Sequence, residues 1–168
     1  MIWGTAFVGQ ALGMEYVPPF TFTAGRSLLG ALVLVPVIYF LDRFKSPARR
    51  AEESTPEAKK LVWVGGILCG IALFAAESFQ QFGLIQTPVG KAGFLTALYI
   101  IFVPLIALFR GKRSSGILWI AVLIAMAGLY FLSVKGDFSV GSGDILCITG
   151  AVCYAIQILI IDRYAPKV

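Results

Sequence analysis

Gly116-Ile117-Leu118-Trp119-Ile120-Ala121-Val122-Leu123-Ile124-Ala125-Met126-Ala127-Gly128-Leu129-Tyr130-Phe131-Leu132-Ser133-Val134 is a run of 19 residues with no charged side chain. Coiled as an α-helix at 1.5 Å per residue it reaches about 28 Å, close to the thickness of a bilayer's hydrocarbon core. It is the clearest membrane-spanning signal in the chain.

Further apolar segments lie on both sides of it. Immediately before it, Arg110-Gly111-Lys112-Arg113-Ser114-Ser115 forms a basic loop in which Ser114 or Ser115 can cap the helix that follows. Upstream, residues 89–109 read as a fourth span with Pro104 inside it, and Thr87-Pro88 marks the turn before it. Residues 61–84 read as a third span, preceded by the long hydrophilic segment 42–60. Residues 19–41 read as a second, with a kink expected at Pro36 and its start set by Pro18-Pro19. The first apolar stretch, 1–14, covers only about 20 Å and carries no charged leader of a signal peptide. It is expected to be the outer part of a span whose beginning is missing. Downstream, the Gly-rich loop 135–143 leads to a sixth span, 144–161.

The composition agrees. Hydrophobic residues make up 58% of the 168, charged residues 14%, and mean hydropathy is +0.86. A soluble domain needs far more polar surface, so the expected class is an all-α membrane protein, a polytopic helical bundle. The net charge of +5 could suggest a nucleic-acid partner, but the placement of the basic residues explains it otherwise. Eleven of the 14 Lys and Arg fall in 42–60, 110–115 and 162–168, alternate loops of the six-span reading. Basic residues in short loops stay in the cytoplasm during insertion, which places the N-terminus there and excludes a nucleic-acid role.

Several side chains are candidates for chemistry. Cys69, Cys147 and Cys153 lie in apolar runs without a CxxC pair, and the chain has no histidine. Metal or disulfide chemistry is therefore not expected, and the cysteines read as packing residues. No nucleophile–base pair or phosphate loop is present, so neither an enzyme nor a cofactor is expected. Gly9 and Gly13, Gly66 and Gly70, Gly93 and Ala97, and Ala121 and Ala125 are spaced for close helix packing. Arg26, Glu77 and Lys91 are the ionisable residues inside spans, and the six-span reading sets all three at one depth beside Gln80 and Gln81. Two readings stay open: an internal salt bridge with Lys91 snorkelling to the surface, or the polar lining of an outward-facing cavity. Positions 70, 73, 77, 80, 81 and 84 share helical spacing, so this face is expected to point into the bundle. Span six carries Thr149, Cys153 and Gln157 at intervals of four with Tyr154 adjacent, and the first span offers Trp3, Phe7 and Gln10.

With these segments placed, the chain resembles the EamA family of the drug/metabolite transporter superfamily. The resemblance rests on Trp3-Gly4-Thr5-Ala6-Phe7-Val8 and on Pro18-Pro19 followed by Ala24-Gly25-Arg26. It continues in Gly90-Lys91-Ala92-Gly93-Phe94-Leu95-Thr96-Ala97-Leu98-Tyr99, through Val103-Pro104-Leu105, and in Gly143-Asp144 with Ala151-Val152-Cys153-Tyr154-Ala155. It implies two five-helix repeats in inverted orientation around a central cavity open alternately to each side. Residues 1–134 would be the first repeat and 135–168 the start of the second, with four spans absent. The implied function is movement of small metabolites or drug-like solutes, often outward, across a bacterial inner membrane. The expected wall residues are Arg26, Glu77, Gln80, Gln81, Lys91, Tyr99, Tyr154 and Gln157. The expected partners are the lipid bilayer, a small-molecule solute, and either the missing second half or a second copy. A fragment serving only assembly, or less readily a membrane-embedded enzyme, are the alternatives.

Overall fold

The computed structural model describes residues 2–45, 53, 55–111, 115–133 and 141–167. Every regular element among them is helical. They are α1 (Ile2–Met14), α2 (Pro19–Asp42), α3 (Pro56–Gln86), α4 (Val89–Ala97), α5 (Tyr99–Phe109), α6 (Gly116–Ser133) and α7 (Ser142–Tyr164), closed by a 3₁₀ turn at Ala165–Lys167. The chain is thus an all-α, multi-pass membrane protein. Among the described residues, four stretches are long and apolar enough to cross a bilayer: α2, α3, the α4–α5 pair and α7. The described part of α6 is shorter, and α1 has 13 residues.

Helix boundaries follow local chemistry. α3 begins at Pro56, five residues before the expected Leu61, because the Thr55 hydroxyl accepts from Ala58 N–H and Pro56 occupies the first turn. Its first turns carry Glu57, Lys59 and Lys60, which hydropathy alone assigns to the preceding loop. Ser115 caps α6, its hydroxyl accepting from Ile117 N–H at 3.2 Å; Ser114 lies outside the described residues. The assigned helix α2 runs through Pro36 without a break. The expected span 89–109 instead divides at Leu98, whose N–H bonds only three residues back, to Leu95 O. Pro104 removes the N–H that Ile100 O would receive and crowds that carbonyl, so the preceding turn tightens.

The centre of the bundle is the antiparallel pair α3–α7. Small residues on both helices face one another at intervals of seven. A Cβ added at Gly83 would lie 2.8 Å from Gly143 O, and one at Gly150 would lie 3.0 Å from Ala76 O. Two turns further along, Gln157 Nε2 meets Cys69 Sγ at 3.5 Å. Lipid offers no hydrophobic drive between helices, so close backbone approach supplies the dispersion contact instead. The expected close-packing pairs are corrected here. A Cβ at Gly9, Gly66, Gly70 or Gly93 meets nothing within 4 Å, and Ala121 and Ala125 are exposed. Of the glycines among them only Gly13 is crowded, against the Phe22 ring, while Ala97 is half-buried.

Around this pair, α4 and α5 pack on α7, α6 on α4, and α1 on α3 and α4. A core of Leu84, Ala92, Phe94, Leu95 and Cys147 joins α3, α4 and α7, with Phe7 and Ala11 of α1 and Met126 of α6 against it. α2 is held by its first turns alone. Phe20 packs between Phe74 and Phe82 of α3, at ring-centroid distances of 6.4 and 5.2 Å, and Thr23 is buried. From Ser27 to Leu41 every residue of α2 is exposed.

Candidate functional site: a polar cavity beside helix α3

α3 places Glu77, Gln80 and Gln81 on successive sides of one turn, and each is taken up by a different neighbour. Glu77 Oε1 forms an ion pair with Arg26 Nη2 of α2. Gln80 Nε2 donates to Thr96 Oγ1 of α4 at 3.1 Å, while Gln80 Oε1 accepts from Tyr154 Oη of α7 at 3.2 Å. Gln81 Nε2 reaches Thr23 Oγ1 of α2 at 3.5 Å. In a hydrocarbon environment each of these groups is costly unless it has a partner, so α3 acts as a polar hub joining three helices.

On one side of the hub lies a cavity of about 440 Å³. Arg26, Glu77, Gln80, Tyr99, Tyr154 and Gln157 line it, together with Ala6, Phe7, Gln10, Leu73 and Ile158. Its volume falls within the range of small-molecule sites, and its lining mixes apolar walls with a few polar groups. Tyr99 and Tyr154 sit with ring centroids 6.3 Å apart across it. Six of the eight residues expected at the wall are therefore brought together. Gln81, 1% exposed, faces α2, away from the cavity. Glu77 and Gln80 share the expected inward face with Leu73 and Leu84, but Gly70 is exposed.

Lys91 also lies elsewhere. Its Nζ is 2.6 Å from Oδ2 of Asp144, a residue only 4% exposed at the start of α7. Asp144 also accepts from Thr87 Oγ1 at 3.1 Å and from Gly141 N–H at 2.7 Å. Beside it Ser142 Oγ donates to Gln86 Oε1 at 2.6 Å. The α3–α4 turn and the head of α7 are thereby tied by one buried carboxylate. Lys91 ends on this carboxylate rather than at the membrane surface.

Sequence reasoning treated Asp144 only as the start of a span and so missed this pair. Its position beside a Gly-rich loop disguised it; a charged residue opening an apolar run was the available signal. Gln10 is the polar residue that the cavity adds to the expected wall. It is 6% exposed, and its Oε1 accepts no hydrogen bond. A buried amide oxygen left this way costs about 1–3 kcal/mol. In span six, Thr149 turns back on its own helix, donating to Ile145 O at 2.8 Å.

Comparison with known proteins agrees with this architecture. An uncharacterized transporter from Archaeoglobus fulgidus is 29% identical over 171 aligned residues, which cover 98% of this chain and 47% of that protein. The chain spans about half the length of that relative. No solved structure matches. The family model of the EamA-like transporters matches residues 1–134, which carry Arg26, the α3 hub and the broken α4–α5 helix. On that match, the chain belongs to the EamA-like transporter family.

Proposed function

We propose that this chain forms part of a transporter that moves small metabolites or drug-like solutes, outward, by alternating access. The supporting observation is the cavity that brings Arg26, Glu77, Gln80, Tyr99, Tyr154 and Gln157 together between α1, α2, α3, α5 and α7. In this reading these residues touch solute, whereas Lys91 and Gln81 hold helices in place. α7 is the first helix of an inverted second repeat, and cavities at such repeat interfaces commonly carry the solute site. The remaining wall comes from the rest of a longer protein or from a second copy. The membrane is the cytoplasmic membrane, with the N-terminus inside.

The test needs no knowledge of the solute. Ala6 is exposed on the cavity wall, so Ala6→Cys offers a thiol there. In right-side-out and in inverted vesicles, a membrane-impermeant maleimide is expected to label it above the background of the parent chain in both orientations. Glu77→Gln leaves Arg26 without its counter-charge. It is expected to confine labelling to one orientation while leaving membrane insertion unchanged. Labelling of the Ala6→Cys chain from one side only, or from neither, would overturn alternating access.

A further inference from the structure

The groove between α3 and α7 continues past the cavity. The cavity's α3 wall is one stripe, Leu73, Glu77 and Gln80, and its α7 wall is Tyr154, Gln157 and Ile158. Carried on at helical spacing, the α3 stripe passes through Cys69, Gly66 and Val62, and the α7 stripe through Ile161 and Ala165. Those five residues line a second hollow, of about 270 Å³, which Tyr164 closes at its far end by lying over Gly65. From Gln80 to Val62 the stripe covers about 27 Å of helix, nearly the depth of a bilayer's hydrocarbon core. The cavity alone takes up only about 10 Å of it, from Gln80 to Leu73.

One contact divides the two hollows. Gln157, on the cavity wall, donates from Nε2 to Sγ of Cys69, on the wall of the second hollow, at 3.5 Å. A thiol sulfur is a weak acceptor, so this contact parts and re-forms at little cost. Beyond it the groove is kept deep by a glycine that serves no packing. Gly66 is exposed, and a Cβ there meets nothing within 4 Å. Any larger side chain at this position would occupy the hollow itself.

We propose that solute passes between the cavity and the cytoplasmic face along this groove, and that the Gln157–Cys69 contact is the gate between them. This rests on reading the cavity as the solute path, with α3 beginning at the cytoplasmic face. As at the cavity, the remaining wall comes from the rest of a longer protein or from a second copy.

The test uses the full chain carrying Ala6→Cys and Cys69→Ser. Serine keeps an acceptor for Gln157 and removes the competing thiol from the groove. The Ala6→Cys thiol is labelled with the impermeant maleimide from each side of the membrane, and peptide mass spectrometry separates it from Cys147 and Cys153. Gly66→Phe fills the groove from an open position. It is expected to slow labelling from the cytoplasmic side about tenfold and to leave the rate from the outer side unchanged. Gln157→Leu removes the amide donor and is expected to speed labelling from the cytoplasmic side. Cytoplasmic-side labelling that Gly66→Phe leaves unchanged overturns the route, as does equal slowing from both sides; a lipid chain or another protein segment then fills the groove. A cytoplasmic-side rate that Gln157→Leu leaves unchanged or lowers overturns the gate. If Gly66→Phe fails to insert, Gly66→Leu makes the same comparison with a smaller side chain. A thiol that maleimide never reaches from the cytoplasmic side, with Gly66 and Gln157 in place, instead refutes the solute-path reading itself.

Discussion

Lys91 and Asp144 show how a buried charge pair is spent on architecture. The two are 53 residues apart in sequence and meet at 2.6 Å, with side chains 16% and 5% exposed. Removing one partner of such a pair leaves the other uncompensated. Lys91→Met or Asp144→Asn is therefore expected to destabilise the bundle by about 3–5 kcal/mol. The double variant Lys91→Met/Asp144→Asn removes both charges and is expected to cost less than the two single changes together. Thermal unfolding in detergent, followed by tryptophan fluorescence, measures all three; additive losses would mean the two side chains act independently. Arg26 and Glu77 stood out in the sequence because each interrupts an otherwise apolar run. Asp144 did not, since it borders the loop 135–143 and reads as an ordinary helix start. Gln10 was visible as a polar residue spaced with Phe7, but the lack of a donor to its oxygen depends on residues from other helices.

At the scale of elements, the α3–α7 seam carries the packing. The small residues that matter recur every seven positions, Ala76 and Gly83 against Gly143 and Gly150, not at the four-residue spacing of Gly66 and Gly70. Seven residues are two helical turns, so one narrow stripe of each helix stays against its antiparallel partner over several turns. Gly150→Val would set a Cβ 3.0 Å from Ala76 O and 3.3 Å from Gln80 N, forcing the helices apart. It is expected to lower stability by about 1–3 kcal/mol or to prevent assembly. Gly66→Val meets open space and is expected to leave the melting temperature within a degree or two of the parent (about 0.5 kcal/mol at most). Equal effects at the two sites would count against the seam. Hydropathy located most of the helices within a few residues. It placed the head of α3 late, because Glu57, Lys59 and Lys60 lower the hydropathy of turns that are nonetheless helical.

For the whole molecule, the described helices divide into a well-packed group and an open flank. α2 is fastened at Phe20, Thr23 and Arg26 and then exposes Ser27 to Leu41, a surface suited to lipid or to further protein. The proposed orientation rests on charge placement: 11 of 14 basic residues fall in the segments 42–60, 110–115 and 162–168, which the six-span reading sets on one side. Tyr16, in the α1–α2 turn, and Arg110, at the end of α5, fall on opposite sides in that scheme. In intact cells, Tyr16→Cys is expected to react with an impermeant maleimide, and Arg110→Cys only after the membrane is broken. The reverse pattern would invert the topology.

The amino-acid sequence by itself determined the class of this protein, the approximate limits of its spans, its resemblance to the EamA family and which polar residues lie within apolar runs. Each of these follows from hydropathy, local capping chemistry or motif order, all of which act along the chain. Only the tertiary structure decided how those polar residues pair: Arg26 with Glu77, Lys91 with Asp144, Gln81 with Thr23. It also decided which glycines lie at a helix contact and that Gln10, a residue of the cavity wall, keeps a buried oxygen without a donor. In lipid, apolar faces pack on neighbours or on acyl chains with similar gain. The choice between them therefore rests on shape and hydrogen bonds between distant segments, which local sequence does not encode.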